Sequence, residues 1–160
     1  MNTNTTNRKK TRKLLFQFLF ASCFQKTEKE AFLESFYKDT FSFELDLDYM
    51  DEMINIIEFR EGFFIDIVKK YSPKFDFEKM DVLIIIPLYI ALAEIFYFSE
   101  EIPIKVSVNE AVELAKTFAM GTSKKIVNGV LGNVFRDLDE LEKIKENYKG
   151  NDGYSIFKKS

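Results

Sequence analysis

Along most of this chain, apolar residues recur at the three- and four-residue spacing of helices that bury one face. Leu14, Leu15, Phe18 and Leu19 define such a face from about Arg8 to Gln25, widened by Phe16 and Phe20. Residues 1–7 ahead of it are rich in Asn and Thr and are expected to form a disordered tail. Thr27 and Glu30 have the spacing of a capping box, in which hydroxyl and carboxylate each accept from the other residue's backbone N–H. They predict a second helix over about residues 28–41, with Ala31, Phe32, Phe36 and Tyr37 inward. Asp46 or Asp48 opens a third helix that runs to about Tyr71 on Met50, Met53, Ile54, Ile57, Phe64, Ile65 and Val68, until Ser72-Pro73 ends it.

Val82 to Phe98 is almost continuously apolar, so periodicity alone does not separate a buried helix from a buried strand. The run has 17 residues and contains Pro87 and Glu94, whereas a membrane span needs ~20 apolar residues. A central helix buried on nearly all sides and bent near Pro87 is expected, with a strand over Val82–Ile86 as the alternative. Ile102-Pro103 then breaks the chain. Ser107 and Glu110 have a second capping-box spacing, followed by Val108, Ala111, Val112, Ala115 and Phe118 or Ala119 as an inward stripe. Gly121 is placed to stop that helix by adopting positive φ, and Thr122 or Ser123 to cap the next. Val127, Val130, Leu131, Val134, Leu138 and Leu141 predict one last helix, which turns polar before a mobile tail over about residues 149–160. The pattern is that of a single all-α domain of about six to seven helices over residues 8–148.

Composition narrows the chemistry. The 160 residues include no His, which removes His-based triads, acid–base pairs and metal sites. The one Cys, Cys23, sits among apolar neighbours, and one cysteine builds neither an internal disulfide nor a thiolate cluster. Six Gly and three Pro supply little turn material and no Walker or GxGxxG loop. No catalytic residue, metal or cofactor is expected. Net charge is −3, unevenly spread. Arg8, Lys9, Lys10, Arg12 and Lys13 crowd the first helix without an acid, while residues 28–66 hold 12 acids against Lys29, Lys38 and Arg60. A basic end on an acidic body points to a localised polyanion contact. The N-terminus has neither the apolar region nor the small-residue site of a signal peptide, and the expected compartment is the cytoplasm.

Several segments carry a family resemblance in order. R-K-K-T-R-x-x-x-x-Q-x-L-F from Arg8, Tyr71-Ser-Pro-Lys-Phe, Glu78-Lys-Met, Ala91 to Glu94, Ile102-Pro-Ile-Lys-Val, and NEAVELAKTFA followed by Lys124-Lys125 and VNGVL together resemble the NusB family of transcription antitermination factors. The resemblance implies an all-helical fold of two small helical subdomains packed across each other. It implies binding of single-stranded boxA-type RNA in nascent ribosomal transcripts, jointly with the small-subunit ribosomal protein NusE, in an antitermination complex on RNA polymerase. By the same resemblance Arg8, Lys9, Lys10, Arg12, Gln17, Lys124, Lys125, Ile126 and Asn128 are expected at the RNA, and Phe20, Tyr89 and Glu94 at the NusE surface.

The chain departs from the family at Ile126, where an aromatic is usual, at Leu88-Tyr89 in place of Leu-Arg, over Val82–Ile86 in place of charged residues, and at Gly132 in place of an acid. Two other readings stay open: a NusB-fold interaction module without RNA affinity, and a NusB-like domain of a ribosomal RNA methyltransferase. Whether the free chain forms a homodimer is also open.

Overall fold

The structure, a computed structural model, describes residues 3–40, 45–149 and 153–159, with the side chains of residues 3–6 and 36–40 excepted. The expected inward positions of Phe36 and Tyr37 therefore lie outside the described side chains. The described residues form seven helices and no strand: α1 (Thr3–Ser22), α2 (Lys29–Thr40), α3 (Leu47–Tyr71), α4 (Val82–Tyr97), α5 (Ile104–Phe118), α6 (Ser123–Arg136) and α7 (Leu138–Asn147). A single 3-10 turn covers Phe77–Lys79.

Helix α4 is the centre of the packing and touches α1, α3, α5 and α6. Every residue from Ile85 to Phe96 is buried. Such a helix has no polar stripe because it has no solvent face. The strand alternative for Val82–Ile86 gives way to helix, capped by Asp81, whose carboxylate accepts from Leu83 N–H at 2.9 Å. Pro87 sits inside α4 and contributes no N–H to its ladder. No helix is long and apolar enough to cross a membrane among the described residues.

Several predicted caps fall differently. At α3 the expectation holds: Asp46 is the N-cap and accepts from Tyr49 N–H at 3.2 Å. At α5 it does not. Pro103, with φ −59°, starts the helix one turn before Ser107. Ser107 is thus inside α5, buried, and donates to Glu94 Oε1 at 2.7 Å instead of capping. Thr27 likewise makes no capping box; its hydroxyl donates to the Gln25 carbonyl at 3.0 Å, and α2 starts at Lys29. Ala31 of α2 is exposed, while Phe32 packs edge-on against Phe18 with ring centroids 5.5 Å apart. Gly121 does take positive φ, +70°, but in the turn after α5 has ended at Phe118. Thr122 holds the N-cap position of α6 without a side-chain bond, and Ser123 Oγ donates to Met120 O at 2.6 Å.

The predicted last helix is two. Its stripe is buried as expected at Val127, Val130, Leu131, Val134 and Leu141, but the helix breaks at Asp137 between α6 and α7. Asp137 accepts from the Tyr71 hydroxyl at 2.6 Å and from Arg136 Nε at 2.9 Å, tying the break to the end of α3. Burial, then the Asp137 hydrogen bond, push the Tyr71 phenol up to about 12. Asp137 is held below the usual carboxylate range, first by Arg136 and then by Tyr71.

Residues 153–159, expected within a mobile tail, lie against the core. Ser155 Oγ donates to Glu61 Oε1 at 2.6 Å and Ile156 N–H to Glu61 Oε2 at 2.9 Å. Tyr89 OH donates to the same Oε2 at 2.7 Å, and Lys158 N–H reaches the Ser22 carbonyl of α1 at 2.9 Å. Ile156 is buried, and Phe157 faces Tyr89 with centroids 6.0 Å apart. What holds this polar segment is a buried carboxylate outside it, Glu61 of α3, whose lone pairs need these donors.

Two outcomes are expected. Removing residues 153–160 should lower unfolding stability by ~2–4 kcal/mol in a urea titration, since Ile156 loses its burial and Glu61 two of its donors. A loss below ~0.5 kcal/mol would show that the segment does not hold the fold. At Tyr71 the folded pKa is raised, so its contribution is complete below the unfolded value near 10 and is lost as pH rises through about 12. Comparing urea midpoints at about pH 9 and about pH 11, the native protein should lose more than Tyr71→Phe does. Equal losses would remove Tyr71 from the alkaline transition.

Candidate nucleic-acid interface

Helix α1 has two faces. Leu14, Leu15, Phe18 and Ser22 turn inward, toward α3 and α4. At 3.6 residues per turn the opposite side carries Lys9, Lys10, Lys13, Gln17 and Phe20 in one strip, and Phe24 follows in the turn after the helix ends at Ser22. The three lysines and Phe24 are exposed, and Gln17 and Phe20 are half-buried. Because α1 starts at Thr3, the lysines stand in its second and third turns, beyond the reach of the unfavourable N-terminal dipole. Beside the strip runs α5: Lys9 approaches Glu110 at 3.4 Å, and Phe16 stacks on Phe118 at 4.3 Å. Phe16, Phe20 and Phe24 continue as a row of rings, 6.5 Å and then 5.0 Å apart.

The two arginines of the basic cluster do something else. Arg12 is 4% exposed, its Nε donating to Glu94 Oε2 at 2.7 Å and its NH2 to Oε1 at 3.2 Å. Glu94, 1% exposed, also accepts from Ser107 Oγ and from the Tyr49 hydroxyl. Burial pulls the Arg12 pKa down, but the hydrogen bonds and charge of Glu94 outweigh it and hold the guanidinium above its ordinary value. Arg8 is half-buried, pairs with Asp46 at 2.8 Å and lies over the Tyr49 ring at 4.7 Å. With Lys9, Glu101 and Glu110 the arginines line a cleft of about 510 Å³ whose charges are mixed.

These contacts correct three expected site residues. Arg12 is buried against the Glu94 carboxylate and is not an exposed cation. Glu94 is the buried partner of Arg12 and cannot lie on a protein-binding surface. Tyr89 is 0% exposed, with its hydroxyl on Glu61, and is likewise interior. Arg12 stands three and seven residues before the core positions Leu15 and Leu19, the spacing of a shared helical face. Lys13 in the strip and Phe24 just after it were absent from the expected site. Their signal was also spacing, four residues after Lys9 and Phe20.

The second expected patch opens α6, which packs on α3, α4 and α5. Lys124, Lys125 and Asn128 are exposed there, while Ile126 is half-buried and packs against the core. Among the described residues no group of three His, Cys, Asp or Glu side chains is arranged to hold a metal.

The family model described as "NusB family" matches residues 9–136. The chain belongs to the NusB family. It is 33% identical over 134 residues to the transcription antitermination protein NusB of Clostridium acetobutylicum, covering 84% of this chain and 98% of that protein. Its identity to the NusB of Clostridium novyi is 36% over 135 residues, 81% of this chain and 98% of the other. The solved structure of NusB from T. maritima superposes with a TM-score of 0.66 at 27% identity, over 85% of this chain and 90% of that one. The NusB match includes the lysines of α1 and the patch on α6 but stops before α7 and before the docked residues 153–159.

Removing one partner of the buried pair should cost far more than removing an exposed lysine. Glu94→Leu leaves the Arg12 charge buried and should cost ~3–5 kcal/mol. Lys9→Gln should stay within ~0.5 kcal/mol. Combining Glu94→Leu with Arg12→Met should recover part of the loss, because it removes the uncompensated charge. Urea titrations measure all three; additive losses in the double variant would show that the pair is not coupled.

Proposed function

We propose that this NusB-family chain acts in transcription antitermination by holding single-stranded boxA-type RNA along the exposed strip of α1, jointly with NusE, within an RNA polymerase complex in the cytoplasm. One observation carries the reading: cations, an amide and aromatic rings share one exposed helical face. Single-stranded RNA is bound by that combination, with cations on phosphates, amides on base edges and rings on base faces. Lys9 and Lys10 supply phosphate contacts and Gln17 a base-edge contact. Arg8, half-buried against Asp46, borders the lysines. Lys124, Lys125 and Asn128 offer a second contact at the start of α6, with the aliphatic edge of Ile126 in place of a ring. Phe20 remains the candidate for the NusE surface. The role is one of binding, without catalysis.

Salt dependence tests this directly. For a single strand, every phosphate that the protein neutralises adds ~0.7 to the steepness of log affinity against log salt. Replacing Lys9, Lys10 and Lys13 together by Gln should weaken binding of a boxA-type oligonucleotide, with and without NusE, and flatten that slope by up to about 2. The fold should be unaffected, because all three are exposed. An unchanged slope would place the RNA elsewhere. No binding by the unaltered protein in either condition would favour an interaction module without RNA affinity.

A further inference from the structure

Phe20, the candidate for the NusE surface, sits in the last turn of α1, and that turn is closed from two directions. The last four carbonyls of a helix have no partner inside it. In α1 three of them are met by the residues that follow. Cys23 Sγ donates to the Leu19 carbonyl at 3.4 Å, Cys23 N–H to that of Phe20 at 3.1 Å and Phe24 N–H to that of Ala21 at 3.1 Å. The fourth, on buried Ser22, is met by Lys158 N–H at 2.9 Å, from the other end of the chain.

The segment that brings Lys158 there crosses three helices. Tyr154 stands edge-on to Phe77, beyond the end of α3, with centroids 6.1 Å apart. Ser155 and Ile156 donate to Glu61 of α3, and Phe157 faces Tyr89 of α4. Phe157 and Lys158 then line a cleft of about 220 Å³ with Phe18, Leu19 and Ser22 of α1. They back the last turn of α1 from its buried side, while Phe20 lies on its outer side. The hold is light enough to be reversible. It consists of a few hydrogen bonds and the buried side chain of Ile156, and water can solvate Glu61 once the segment leaves.

We propose that residues 153–159 are a clasp that fixes the NusE-facing end of α1, so that NusE affinity follows the docking of this segment while the lysine contact with RNA does not. The proposal rests on the reading of Phe20 given above and adds the regulation of that surface. Position separates the two contacts. Lys9, Lys10 and Lys13 stand about two and a half turns or more before Ser22, beyond the turn that the clasp completes. The chain also carries a reporter of docking. Its one cysteine, Cys23, is buried, and burial, then the charge of nearby Glu61, push the thiol up to about 11. Such a thiol is unreactive until the cover opens.

The test uses the full chain. Ile156→Asp places a carboxylate at the buried anchor beside Glu61 and should release the segment. Ile156→Val should keep it docked, and Lys158→Pro removes the N–H that meets Ser22. In Ile156→Asp, Cys23 should react with a disulfide reagent about tenfold faster or more, as local opening becomes populated. Titrated with NusE, that variant should bind about fivefold more weakly or worse, and Lys158→Pro about two- to fivefold more weakly. Ile156→Val should match the unaltered protein. A boxA-type RNA without NusE should keep its affinity and salt slope in all three variants.

Faster Cys23 labelling with unchanged NusE affinity overturns the clasp and leaves the NusE surface in place. Unchanged labelling in Ile156→Asp also overturns it, since the segment then does not cover the end of α1. Parallel losses for NusE and RNA would show general loosening of the fold and overturn it as well. If Ile156→Asp loses its helicity, Lys158→Pro decides, and full NusE affinity there overturns the proposal. If the unaltered protein binds no NusE, the reading of Phe20 and the clasp fall together, and the lysine contact with RNA stands on its own salt test.

Discussion

The carboxylate of Glu94 is the interaction on which the rest of this molecule depends. It lies inside α4 and gathers Arg12 from α1, Tyr49 from α3 and Ser107 from α5. A buried carboxylate without partners is too costly to keep charged, so each of these donors is required where it stands. The requirement sets how three helices sit around the fourth. It also explains Tyr49, whose phenol is pushed well up, first by burial and then by the neighbouring Glu94 charge. In the folded state that hydroxyl acts as a donor and stays neutral.

The rotation of α1 is where this packing becomes function. Pinning Arg12 inward turns Lys10 and Lys13, two and one positions away, to other sides of the helix, and leaves Lys9, about one turn before it, at the solvent edge beside Glu110. The basic cluster thus divides by role. Arg12 builds the fold, Arg8 seals the edge against Asp46 and Tyr49, and the lysines meet solvent. The chemistry of the side chains suits the division. A planar guanidinium satisfies a buried carboxylate with two bonds, whereas an ammonium on a flexible stem is an adaptable contact for phosphates.

A second buried carboxylate, Glu61 of α3, repeats the device on another side of α4. It joins Tyr89 of α4 to Ser155 and Ile156, and the same segment reaches back to Ser22 at the end of α1. Glu61, Tyr89 and Ser22 lie within residues 9–136, which match the NusB family, while the segment that reaches them lies beyond that match. It closes over the side of α1 away from the exposed strip and leaves that strip open.

Much of this was legible in the residues themselves. Local periodicity determined that the chain is helical, where most helices lie and which stripes are buried, because a helical face repeats within a few residues. The ordered motifs from Arg8 to VNGVL determined the family. Tertiary structure alone decided what long-range partners impose. Arg12 and Glu94 are 82 residues apart, and Glu61 and Ile156 are 95 apart; nothing local reveals that either pair will meet. For that reason Arg12 read as one more cation, Tyr89 and Glu94 as surface, Ser107 as a cap and residues 153–159 as a loose end. Each takes its role from a buried charge elsewhere in the chain, and the cost of leaving a buried charge unpaired is a property of the folded interior, which no window of sequence contains.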